Sequence, residues 1–148
     1  MAMEKFFFLF NIASTFYLTG VIWLIQLVQY PFFSQVGAEN FSKYHAAHTF
    51  WITPVVAPMM IVELITSIFL IFYPPENIET KLILFGLLLT LIVWLSTFFL
   101  QVPMHEKLAQ GFDSEAHKFL VSSNWIRTIA WSLRSCLVSY FLWKIIRL

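Results

Sequence analysis

Charge is scarce in this 148-residue chain: Asp, Glu, Lys and Arg make up 11% of it, against 59% hydrophobic residues. A soluble domain carries roughly a quarter charged residues, and one this small leaves too much surface in water to hide such an apolar excess. An ordinary soluble domain is thereby excluded. Cysteine is almost absent: Cys136 stands alone in an apolar run, so neither an intrachain disulfide nor a thiolate metal cluster is available. The nine Lys and Arg are scattered and the net charge is only +1, which leaves no basic patch for nucleic acid. Glycine is rare too, with four residues and no Gly-rich phosphate loop, so nothing points to nucleotide chemistry. HExxH, CxxC, paired Glu-x-x-His and Gly-x-Ser-x-Gly are all missing. No internal repeat or low-complexity tract is evident.

What is present is apolar length. Mean hydropathy is +0.77, and four segments, about 6–30, 52–73, 82–102 and 125–146, reach the roughly 20 apolar residues that a bilayer core demands. The expected fold is an all-α, integral membrane four-helix transmembrane bundle, a single domain over 1–148. Pro74-Pro75 followed by Glu76-Asn77 stops the second helix. Gly111-Phe112-Asp113 breaks the third connection, after which Asp113 or Ser114 can cap a short helix through His117. Lys5 precedes an apolar run as in a signal peptide, but that run continues to Tyr30 without a clean cleavage site, which predicts a retained helix.

Helical phase then sorts the polar residues. At about 100° per residue, Asn11, Thr15, Thr19, Gln26 and Gln29 share one arc of the first helix. Gly86, Thr90, Trp94, Thr97 and Gln101 do so in the third, with His105 continuing the line, and Asn124, Arg127, Trp131 and Arg134 in the fourth. The second helix adds Glu63 and Ser67. Polar stripes facing lipid are costly, so the four should face one another. Glu63 and Arg134 fall roughly 13–17 Å below the same face at 1.5 Å per residue. Charges at that depth face inward and pair, which predicts a Glu63–Arg134 ion pair. It either locks helix register or forms the floor of a polar cavity with Arg127 at its mouth. Gln29, Gln101, Glu63, Arg134, Trp94 and Trp131 are the candidate ligand-binding residues, the two indoles being placed to stack on a flat aromatic or to fill the core.

All four histidines, His45, His48, His105 and His117, belong to the first and third connections and so share one face of the membrane. Imidazole is the commonest transition-metal ligand, and converging histidines could hold Fe, Cu or Zn, or two of them a haem. The equally simple alternative is an acid–base or interfacial role. Pro54 and Pro58 free carbonyls early in the second helix and could bend it open around a ligand.

The stretch Pro103-x-His105-x-x-Leu108, followed by Asn124-Trp-Ile-Arg127-Thr128, resembles the anthrone oxygenase-like family of small four-helix membrane proteins, over roughly the last third of the chain. The resemblance implies oxidation of lipophilic phenolic anthrones by molecular oxygen with no cofactor required, and it marks His105, Arg127 and Asn124 as candidate catalytic residues. The functional expectation is an oxidoreductase or oxygenase acting on a lipophilic phenol or quinol; the alternatives are a small-molecule carrier and an accessory membrane subunit. The expected partners are the bilayer, a lipophilic small molecule and a second copy of the chain, in a bacterial inner membrane. Positive charge does not settle orientation: Lys5, Lys81, Lys144 and Arg147 oppose Lys43, Lys107, Lys118 and Arg127, and the reading leans to cytoplasmic termini.

Overall fold

The computed structural model describes residues 2–146. Four rods cross the molecule. The first is α1 (Ala2–Leu24), a wide π turn (Ile25–Gln29), α2 (Tyr30–Phe32) and a 3₁₀ turn (Phe33–Gln35). The second is α3 (Ala38–Phe72), unbroken. The third is α4 (Thr80–Ser96), a second π turn (Thr97–Gln101) and α5 (Val102–Ala109). The fourth is α6 (Ser114–Ile146). All four are long and apolar enough to span a membrane, and large apolar side chains such as Phe72, Phe99 and Ile146 stand exposed on the outside. The chain is a multi-pass, all-α membrane protein. Arg147, one of the charges in the orientation count, lies outside the described residues.

The second and fourth rods are longer than the apolar stretches alone indicate. Residues 38–50 are helical and continuous with the membrane helix, and so is the short helix expected through His117. Asp113 caps α6: its Oδ1 accepts the Ala116 N–H at 2.7 Å. Pro54 and Pro58 sit inside α3 without interrupting it.

The π turns share a sequence context, a proline two residues after each. A proline ring clashes with the carbonyl four residues back, and Pro31 and Pro103 each follow one of the wide turns. Widening the helix by one residue relieves the clash, with Tyr30 N–H bonding Ile25 O and Val102 N–H bonding Thr97 O. The offset that takes Ile25 to Thr97 also takes Gln29 to Gln101, Pro31 to Pro103 and His45 to His117. The two halves thus share an order of elements: a helix, a π turn, a proline and then a long helix. The shared positions are too few to register as sequence periodicity, because most of them are interchangeable apolar residues.

The four polar stripes do face inward. Asn11, Thr15 and Gln26 from the first rod, Glu63 and Ser67 from the second, Thr90 and Gln101 from the third, and Asn124, Arg127 and Arg134 from the fourth are all buried.

Candidate functional site

Two polar centres lie along the bundle axis. At the deeper one, Arg134 Nε donates to Glu63 Oε1 at 3.0 Å, both side chains being almost wholly buried. Thr15 Oγ1 donates to the same oxygen at 2.8 Å, and Trp131 Nε1 donates to Oε2 at 3.0 Å. The rest of the Arg134 guanidinium is spent on Asn11 Oδ1, Ser67 Oγ, Thr15 Oγ1 and the Gly86 carbonyl. Gly86 leaves room for this approach: a Cβ there would sit tightly, 3.4 Å from Arg134 Nη1 and 3.3 Å from Leu137 Cδ2. The network takes a residue from every rod and uses every donor and acceptor position that an ion pair at this depth needs. Such a network ties the four rods to one another at this level.

The second centre borders a cavity of about 320 Å³. Its walls are apolar, with Leu18, Ile22 and Ile25 on the first rod and Ile52, Val56 and Met60 on the second. Trp94 and Trp131 also line it, and one end carries Tyr30, Gln101, His105 and Arg127. Thr53, Phe98 and Val102, exposed on the outer faces of the second and third rods, complete the lining. The cavity therefore opens sideways between those rods rather than along the axis.

The expected polar cavity with the ion pair as its floor is corrected on both counts. Glu63 and Arg134 do not line it; Trp131 stands between, presenting its ring to the cavity while its N–H is held by Glu63. Asn124 does not line it either. It holds the Arg127 guanidinium, accepting from Nε at 2.9 Å and from Nη2, and donates to Gln26 Oε1 at 2.8 Å. Gln29 turns outward to Tyr44 Oη at 2.8 Å, into a groove on the bundle's flank. Gln101, at the same place in the second π turn, stays buried and donates to Ser123 Oγ, so the partner offered by the neighbouring rod separates the two.

Arg127 is buried, yet its partners are all neutral: Asn124, Tyr30 Oη at 3.2 Å, Gln101 Oε1 at 3.4 Å and Thr97 Oγ1 at 3.4 Å. Among the described residues no carboxylate lies within 4.0 Å of it. A buried cation without a counter-charge is costly to keep.

The histidines divide. His105 Nε2 lies 2.9 Å from Tyr30 Oη and its Nδ1 2.9 Å from His45 Nε2. His48 stacks near His105, with ring centres 5.9 Å apart. His117 instead donates from Nε2 to the Tyr30 carbonyl at 2.8 Å. The four rings are gathered around Phe33, fully buried, whose ring centre lies between 5.0 and 6.4 Å from each of theirs. Among the described residues no three of His, Cys, Asp and Glu are arranged to hold a metal ion together. The expected metal set of His45, His48, His105 and His117 is accordingly not assembled, because His45 and His105 are bonded to each other and His117 to backbone.

Tyr30 and Phe33 were not among the sequence candidates. Their signal was the Gln-Tyr-Pro triplet matching Gln-Val-Pro at Gln101–Pro103, visible only once the two π turns are aligned.

No family model matches the chain, and neither does a curated protein or a solved structure.

Proposed function

We propose that this protein takes a lipophilic phenol or quinol from the bilayer into the lateral cavity and ionises its hydroxyl group. The observation that carries the reading is Arg127, a buried cation at the polar end of an otherwise apolar pocket with only neutral partners. A phenolate oxygen would supply the missing charge, and a guanidinium offers several donors to one oxygen. The walls suit a flat hydrophobic body: a volume of about 320 Å³ falls at the small end of the usual range for ligand pockets, and two indoles line it. The sideways opening suits a ligand dissolved in lipid. Tyr30 Oη, held between Arg127 Nη2 and His105 Nε2, is the group on which the ligand hydroxyl would bond, and His105 is the base behind it.

The enzymatic form of this reading follows the resemblance to anthrone oxygenases, whose marked positions His105, Asn124 and Arg127 all belong to this end of the site. Loss of a proton leaves an electron-rich anion. With molecular oxygen as oxidant, an anthrone then becomes the anthraquinone, one oxygen atom forming the new carbonyl and the other leaving as water. The carrier form stops at binding.

The test uses purified protein in detergent with 1-naphthol and anthrone as probes. Quenching of tryptophan fluorescence by 1-naphthol, lost in Arg127→Gln, supports the site. Anthrone-dependent oxygen uptake above the uncatalysed rate identifies the enzyme, and binding without uptake identifies the carrier. Absence of binding by either probe removes the reading.

A further inference from the structure

The hydrogen bonds leading away from the cavity form a directed chain. Tyr30 Oη lies 2.9 Å from His105 Nε2, and His105 Nδ1 lies 2.9 Å from His45 Nε2. Tyr30 and His105 line the cavity, whereas His45 does not; it is buried one step behind, packed against Phe33 and Phe41. Its remaining ring nitrogen, Nδ1, is buried with no hydrogen-bond partner. Two bonded imidazoles in series, the second accepting through Nε2 and so able to take a proton there, exceed what is needed to hold His105 in place. A backbone carbonyl does that for His117 in the same bundle.

From this we infer that Tyr30, His105 and His45 form a proton relay, with His45 as the group that finally holds the proton taken from the ligand. The inference rests on the phenol or quinol reading above. In the resting state the Tyr30 hydroxyl donates to His105 Nε2 and His105 Nδ1–H donates to His45 Nε2. Tyr30 oxygen keeps two acceptor positions, one filled by Arg127 Nη2 and one open to the ligand hydroxyl. The shift moves one proton at each link. The ligand O–H bond breaks as a new Tyr30 O–H forms, the former Tyr30 proton passes to His105 Nε2, and the His105 Nδ1 proton passes to His45 Nε2. Tyr30 and His105 end neutral, with His105 in its other tautomer; the ligand is an anion beside Arg127 and His45 is an imidazolium. Single-base transfer would leave the new cation on His105, next to Arg127. The relay moves it one ring away, where like-charge repulsion is weaker. Among the described residues, Tyr30 on the first rod and His48 on the second touch this pair, and Arg127 and His117 on the fourth face it across Tyr30 and Phe33.

The relay makes a prediction that a positioning role does not. 1-Naphthol added to the wild-type protein in weakly buffered solution near neutral pH should show the red-shifted naphtholate absorption band without releasing a proton to an indicator dye, since the proton stays on His45. His45→Gln still bonds His105 Nδ1 but cannot accept a proton, so bound naphthol should remain neutral and the band should vanish. Affinity, read separately by tryptophan quenching, should fall by no more than the roughly tenfold that losing the charge-assisted bond to Arg127 costs, so binding is still seen. A naphtholate band of wild-type intensity in H45Q overturns the relay and leaves His105 as the sole base. Should H45Q not fold, Tyr30→Phe breaks the first link within the same ring shape, and an undiminished band there overturns the relay equally. If naphthol does not bind the wild-type protein, it is the functional reading that fails, and the two failures are thereby told apart.

Discussion

Arg127 and Arg134 stand on one face of α6 about two turns apart, yet only Arg134 meets a carboxylate, with Nε 3.0 Å from Glu63 Oε1. Arg127 is surrounded by an amide pair, a phenol and a hydroxyl. The same residue type on the same stripe is therefore a structural cation at one level and an uncompensated one at the next. The difference separates the part of the bundle where charge is balanced from the part where we propose that a ligand binds.

Removing the unpaired cation should cost function and not stability. Arg127→Gln is expected to lower 1-naphthol affinity by roughly tenfold or more, since a charge-assisted bond to the ligand oxygen is lost. Its Tm in detergent should stay level or rise, because a buried charge without a counter-ion opposes folding. A large fall in Tm would mean that the guanidinium is structural.

Glu63→Gln should behave in the opposite way. It leaves Arg134 buried without its counter-charge, at a cost of about 3–5 kcal/mol, visible as a large drop in Tm. The double variant Glu63→Gln, Arg134→Gln should recover part of that loss, since neither charge then remains. In both, the single amide oxygen at position 63 replaces the two that Thr15 and Trp131 use separately, so quenching by a bound probe should weaken as the Trp131 ring becomes less well fixed.

Ala57, half-buried on the cavity wall, offers a test of the void itself. Ala57→Phe projects a ring into empty space rather than into packed side chains. Probe binding should fall by about tenfold or more while Tm is unchanged or rises slightly, as for other cavity-filling substitutions. An equal loss of both would place the side chain against a wall instead.

Acid should loosen the start of α6. The Ala116 N–H, and after it the Lys107 ammonium 2.9 Å away, hold the Asp113 carboxyl below the usual aspartate range. A carboxylate whose folded pKa is depressed contributes stability above its unfolded value, near pH 4, and loses it as pH falls through the lower folded value. The Tm difference between wild type and Asp113→Ala should therefore be constant near neutrality and close below about pH 4. A difference that persists in strong acid would assign the cap to something other than the ionised carboxylate.

Much of this molecule is determined by composition and period. Four apolar lengths dictate four membrane helices, because backbone polar groups in hydrocarbon must bond within the helix. Uniform phasing puts Asn11, Thr15, Glu63, Ser67 and Arg134 on inward faces, and the Glu63–Arg134 pair follows from depth and the cost of an unpaired charge. These inferences need only regular helices. The site was decided by tertiary structure because its helices are not regular. Two π turns ahead of Pro31 and Pro103 add a residue to one turn each, and Tyr30, which uniform phasing left off the inward stripe, lies on the cavity, while Gln29 and Gln101, at the same place in the two turns, part company through their neighbours. Hydrogen bonds between helices then divided the histidines, turning His117 to a carbonyl and His45 to His105. The division of labour between Arg127 and Arg134 likewise came from the neighbouring rods, which offer a carboxylate at one level and only neutral oxygens at the other.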